Sequence, residues 1–130
     1  MGNCLNIERS DISTLNSIFR GNTKDGKIRN SGAFYCFACF SNFISNSNFE
    51  LKQNFVNGAA LFLISQFKTK FSLTENALSG IYNCSFSQNI AVNNGGAIYL
   101  ENQLITINNS VFFDNEATKG GAIYNLIKGL

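Results

Sequence analysis

Ile107-Asn108-Asn109-Ser110-Val111-Phe112-Phe113-Asp114-Asn115-Glu116-Ala117, followed by Gly120-Gly121-Ala122-Ile123-Tyr124, decides the fold, because the chain says the same phrase four times. The copy before it runs Ile81-Tyr82-Asn83-Cys84-Ser85-Phe86-Ser87-Gln88-Asn89-Ile90-Ala91 and closes with Gly95-Gly96-Ala97-Ile98-Tyr99. A third reads Ile44-Ser45-Asn46-Ser47-Asn48-Phe49, then Asn54 and Gly58-Ala59-Ala60-Leu61-Phe62. The most worn copy opens with Leu15-Asn16-Ser17-Ile18-Phe19-Arg20-Gly21-Asn22 and closes with Ser31-Gly32-Ala33-Phe34-Tyr35. Ser31, Gly58, Gly95 and Gly120 mark the copies at spacings of 27, 37 and 25 residues. Self-similarity at such a period is the signature of a solenoid, in which each unit buries its apolar face only against its neighbours.

The residue types make the units β rather than helical. Twenty asparagines, 11 glycines and no proline punctuate short apolar runs, and Asn and Gly are turn formers that tolerate left-handed dihedrals. The reading is therefore all-β: a β-solenoid of about four coils over residues 12–130, with residues 1–11 as an N-terminal segment or weak cap. The long spacing places an insertion at about 63–78, where Phe67, Thr69, Phe71 and Leu73 alternate with polar residues as a strand would.

Each repeated position has a physical task. Asn16, Asn46, Asn83 and Asn109 stand where a tight corner needs positive φ, and their stacked amides are expected to form a buried ladder. Phe19, Phe49, Phe86 and Phe112 are expected to stack inward just beyond that corner. Asn22, Asn54, Asn89 and Asn115 mark the next turn. The Gly-Gly pair admits the chain to the following strand where backbones approach closely. Phe34, Leu61, Ile98 and Ile123 are read as inward, so alternation turns Tyr35, Phe62, Tyr99 and Tyr124 outward. That aromatic stripe is the candidate binding surface, weighed against a packing ladder that merely shields the sheet.

Composition excludes several functions. A net charge of +2 with scattered lysines argues against nucleic acid. No apolar run is long enough to span a membrane, and Met1–Ser10 shows no signal-peptide core. Cys4, Cys36, Cys39 and Cys84 include one C-x-x-C, but the chain has no histidine and no second pair for zinc. Buried or idle thiols are the expectation, with Cys84 filling a place that Ser holds in the other copies. No catalytic residue, metal or cofactor is assigned. Asp11, Asp25 and Asp114, and Glu8, Glu50, Glu75, Glu101 and Glu116, recur at no common strand position, as clustered acid–base chemistry would require. Asn83-Cys84-Ser85 and Asn108-Asn109-Ser110 match the N-glycosylation sequon; the expected burial of the Asn83 corner speaks against using the first.

The paired phrases F-x-x-N and G-G-A-I resemble the polymorphic outer membrane protein repeat, and more broadly the right-handed parallel β-helices of the pectin-lyase-like superfamily. The resemblance covers roughly residues 12–125 and is strongest in Phe86-Ser87-Gln88-Asn89 with Gly95-Gly96-Ala97-Ile98, and Phe112-Phe113-Asp114-Asn115 with Gly120-Gly121-Ala122-Ile123. It implies a right-handed parallel β-helix and a cell-surface or extracellular setting. The function expected is a non-enzymatic structural or adhesive segment of a larger surface protein, its ligand a carbohydrate or a protein. The alternative is a remnant of a polysaccharide-binding or polysaccharide-cleaving enzyme. Uncapped coil ends would expose unpaired backbone groups, so end-to-end self-association is expected of the isolated segment.

Overall fold

The computed structural model describes residues 5–8, 12–20, 34–37, 42–50, 55–64, 79–103 and 105–127. All the named elements among them are strands. In chain order they are β1 (Leu5–Glu8), β2 (Ile12–Leu15), β3 (Ile18–Arg20), β4 (Phe34–Phe37), β5 (Asn42–Ser45), β6 (Asn48–Glu50), β7 (Phe55–Asn57) and β8 (Leu61–Ile64). They continue as β9 (Ser79–Tyr82), β10 (Ser85–Ser87), β11 (Ala91–Asn94), β12 (Ile98–Glu101), β13 (Ile105–Asn108), β14 (Val111–Phe113) and β15 (Ile123–Leu126).

Strands one coil apart pair, and every pairing is parallel. The first sheet runs β1-β4-β8-β12-β15, the second β13-β9-β5-β2, the third β14-β10-β6-β3, and β7 with β11 makes a small fourth. The chain visits them in rotation, which is the arrangement of a right-handed parallel β-helix. Leu5–Glu8, within the segment read as a weak cap, is itself a rung: it lies in register with Phe34–Phe37. The insertion at about 63–78 lies outside the described residues beyond Ile64, as do Asn22 and Asn54.

Register puts equivalent residues of the repeat directly against one another. Phe19, Phe49, Phe86 and Phe112 pair in line, and so do Phe34, Leu61, Ile98 and Ile123. Both files point inward, as the alternation requires. The phenyl rings stack nearly parallel, with centroids 4.7, 5.0 and 4.9 Å apart, the spacing of strands in a sheet. Phe49 and Phe86 are fully buried and sit in one cluster with Ile44 and Ile81 of the second sheet and Leu61, Leu63, Ile98 and Leu100 of the first. Each such side chain contributes roughly 1.5–3 kcal/mol of transfer free energy, so the stacked files hold the coils together.

The corners among the described residues are set by residues at positive φ. Asn16, Asn46, Asn83 and Asn109 take φ of 51°, 48°, 53° and 49°, as the turn between the second and third sheets demands. Gly58, Gly95 and Gly120 take 52°, 63° and 60° at the entry to the first sheet. Gln88 and Asp114 turn the chain after the third sheet and Asn102 turns it after the first. The expectation of a buried amide ladder at the first of these corners is corrected: all four Asn side chains are exposed, so the residue is there for its dihedral.

The ladder runs one residue later. The Ser17 N–H donates to Ser47 Oγ at 3.3 Å and the Cys84 N–H to Ser110 Oγ at 3.2 Å. Each hydroxyl then donates to the carbonyl two residues back: Leu15, Ser45 and Asn108 for Ser17, Ser47 and Ser110. Cys84 copies this, its Sγ lying 3.2 Å from the Tyr82 carbonyl oxygen. A second ladder forms at Asn89 and Asn115.

Candidate functional site

The stripe read from the sequence exists as a stack. Tyr35 and Phe62 have centroids 5.4 Å apart, Phe62 and Tyr99 4.7 Å, and Tyr99 and Tyr124 5.6 Å, with interplanar angles of 18°, 7° and 14°. The four rings belong to β4, β8, β12 and β15 and lie outside the core cluster that Phe34, Leu61, Ile98 and Ile123 join from the inside. The two middle rings are well covered, Phe62 at 8% and Tyr99 at 7% exposure, while Tyr35 and Tyr124 are half-buried. Both faces of Phe62 and Tyr99 are taken by neighbouring rings, while Tyr35 and Tyr124 each give one face to the stack. A flat sugar ring stacks on a free aromatic face; the covered middle of the column offers no such face, and its Tyr99 carries a phenol.

That phenol is engaged. The Tyr99 hydroxyl donates to Glu101 Oε2 at 2.8 Å, and burial, then the bond to this carboxylate and its charge, push the phenol well above its ordinary range. Tyr35 is pushed up more mildly, by burial and by the charge of Glu8.

A polar cleft of about 240 Å³ lies elsewhere, lined by Asn93, Asn94, Thr118 and Lys119. Asn94 Nδ2 donates to Asn57 Oδ1 at 2.8 Å and Thr118 Oγ1 to the Val92 carbonyl at 2.8 Å. The repeat gave little signal for it: Asn57 and Asn94 share a register position and a residue type, but Lys119 takes that position in the next coil.

Two of the described carboxylates have other places. Glu50 pairs with Arg20 across β6 and β3 at 2.9 Å, and Asp114 is an exposed corner residue. Among the described residues no three of His, Cys, Asp and Glu gather in a way that would hold a metal ion. The cysteines divide. Cys84 is a buried free thiol, its pKa raised by burial. Cys36, read from the sequence as an idle thiol, is disulfide-bonded. The sequence could not decide this, because four cysteines allow several pairings and no copy of the repeat has a second Cys at that place.

Residues 83–101 and 109–126 each match the Chlamydia polymorphic membrane protein repeat. The two matched segments lie within the last two copies of the phrase, each running from its corner Asn, Asn83 or Asn109, into the first sheet. No curated protein and no solved structure matches the chain. No helix among the described residues is long and apolar enough to cross a membrane.

Proposed function

We propose that this chain is a segment of a surface-displayed β-helical array whose role is structural and adhesive rather than catalytic. The observation that carries the reading is the coincidence of the two repeat matches with in-register parallel rungs. A family of membrane-protein repeats is built here as a stack that can be lengthened by adding coils. Three of the described carboxylates support the non-catalytic part, since Glu50, Glu101 and Asp114 are committed to an ion pair, a tyrosine and a corner. The disulfide at Cys36 fits an oxidising compartment. The aromatic column is proposed to serve as a stiffening spine of the displayed face, with the half-buried Tyr35 and Tyr124 as its points of contact with a partner.

Antiserum raised against residues 1–130 tests the display. Intact source cells should be labelled, and brief protease treatment should remove the label. Labelling only after permeabilisation would overturn the reading. The purified segment should also compete with source cells for adhesion to their target surface, and a Tyr35→Ser, Tyr124→Ser variant should compete less well.

A further inference from the structure

The two sequons of this chain meet at one place on the solenoid. Asn83 sits at the corner after β9 and Asn108 at the end of β13; the Asn83 N–H donates to the Asn108 carbonyl at 3.0 Å, so they are neighbours on adjacent coils. Both side chains are exposed. At Asn83 the left-handed backbone, φ 53°, turns the chain away from the core, and at Asn108 alternation points the side chain outward from β13. Burial of the Asn83 corner, the one physical objection to its use as an acceptor, does not hold in the fold. Neither amide is needed for the hydrogen-bond ladder, which runs through Ser110 and the Cys84 backbone.

We propose that this corner is an N-glycan acceptor site carrying oligosaccharide at Asn83 and Asn108. The proposal rests on the export reading for where modification occurs in nature. The chemistry is transfer of an oligosaccharide from a lipid-linked pyrophosphate donor by an oligosaccharyltransferase. The bond from the sugar anomeric carbon to the pyrophosphate oxygen breaks, a bond to Asn Nδ2 forms, the amide gives up one proton, and the lipid pyrophosphate leaves. The acceptor pattern N-x-S is met in full at both positions. Because each glycan projects from an exposed corner, coils can close with both in place.

The test places the whole chain behind a heterologous secretion leader in a eukaryotic host, which separates acceptor competence from native export. The expected result is a secreted species two steps heavier than the unmodified chain. Peptide N-glycosidase in heavy-oxygen water should collapse it to one band and leave labelled Asp at positions 83 and 108. Asn83→Gln and Asn108→Gln should each remove one step, and the double variant both. Glutamine suits the Asn83 backbone, since Gln88 takes φ 55° in this fold. A secreted chain with the Cys36 disulfide formed and no glycan would overturn the proposal, as would glycan at other asparagines. Glycosylated chain recovered only as aggregate would overturn the claim that the folded corner accommodates it. None of these results bears on whether the native protein reaches a surface, which the antiserum measures.

Discussion

Asn89 ties three coils together through Asn115. Its Nδ2 donates to Asn115 Oδ1 at 2.9 Å and to the Phe49 carbonyl at 3.0 Å, and its backbone N–H donates to the same Oδ1 at 3.1 Å. Asn115 repeats the reach, its Nδ2 donating to the Phe86 carbonyl at 2.8 Å. Asn89 is fully buried, so both ends of its amide must be matched. Removing the side chain takes a donor from the Phe49 carbonyl and leaves Asn115 Oδ1 with only the backbone N–H of residue 89, and an orphaned buried group costs about 1–3 kcal/mol. Asn89→Ala should therefore lower unfolding free energy by about 2–3 kcal/mol in denaturant titrations. Asn89→Asp should cost at least as much, because a carboxylate accepts only and would face two acceptors. An Asp variant as stable as the parent would show that this amide is not what joins the coils.

How far the sequence could be read follows from what repetition encodes. Repetition states that positions are equivalent, so the files of Phe19, Phe49, Phe86 and Phe112, and of Phe34, Leu61, Ile98 and Ile123, were legible with their inward parity. It does not state why a residue recurs. Asn serves two purposes, positive φ and a two-ended amide, and the repeat has both: Asn83 and Asn109 for the dihedral, Asn89 and Asn115 for the ladder. Only the structure separates them, by burial. The left-handed corners at Gln88 and Asp114 were hidden for the opposite reason, since their residue types vary while the backbone repeats. The aromatic stripe was legible as a row; that its middle rings lie buried by one another and their surroundings was not.

The two purposes can be separated by substitution at Asn109. Its side chain is exposed and its φ is 49°. Alanine there should cost about 1 kcal/mol, the lower end of the left-handed penalty for a residue with a Cβ. Glycine should cost little or be neutral, because it takes that φ freely. If Asn109→Gly were as damaging as Asn109→Ala, the side chain rather than the dihedral would be responsible.

Gly96 and Gly121 occupy equivalent places in successive coils and should respond very differently. A Cβ on Gly96 would run into the Gly121 carbonyl oxygen and lie 2.6 Å from both the N and the O of Glu116. Those are backbone atoms that also carry the pairing, with the Gly96 N–H donating to the Gly121 carbonyl at 2.9 Å. Gly96→Val should abolish cooperative unfolding or cost several kcal/mol, on the order of a strained or overpacked core. A Cβ on Gly121 meets only the Asn115 carbonyl oxygen at 3.4 Å, so Gly121→Ala should cost less than about 1 kcal/mol. Equal effects at the two positions would mean that the close approach of backbones is not what selects glycine.

The cysteines predict a thiol count. With Cys36 bonded and Cys84 free among four cysteines, alkylation in denaturant without reductant should modify two cysteines, Cys84 among them. Four modified cysteines would refute the disulfide. Cys84→Ser should change stability by less than about 1 kcal/mol, because the hydroxyl can make the bond to the Tyr82 carbonyl that Ser17, Ser47 and Ser110 make at their own coils.

Tyr99 gives the fold an alkaline limit. Burial and the Glu101 carboxylate hold its proton in the folded state well above the ordinary value of 10.0. In the unfolded chain the phenol ionises near that ordinary value. Below it both states are protonated, and pH does not alter the balance through this group. Above it the unfolded chain has released a proton that the folded chain keeps, so unfolding binds fewer protons than the native state and stability falls as pH rises. Melts between pH 9 and 11 should therefore show a decline that begins near pH 10. Tyr99→Phe keeps the ring in the stack between Phe62 and Tyr124 and removes the ionisable group, so it should make the decline shallower. The stack should hold its place because its geometry, 4.7 Å to Phe62 and 5.6 Å to Tyr124, depends on the ring and not on the hydroxyl. Tyr35, pushed up by burial and Glu8, contributes a decline of the same sign that survives in Tyr99→Phe. An unchanged slope in that variant would place the alkaline sensitivity elsewhere in the chain.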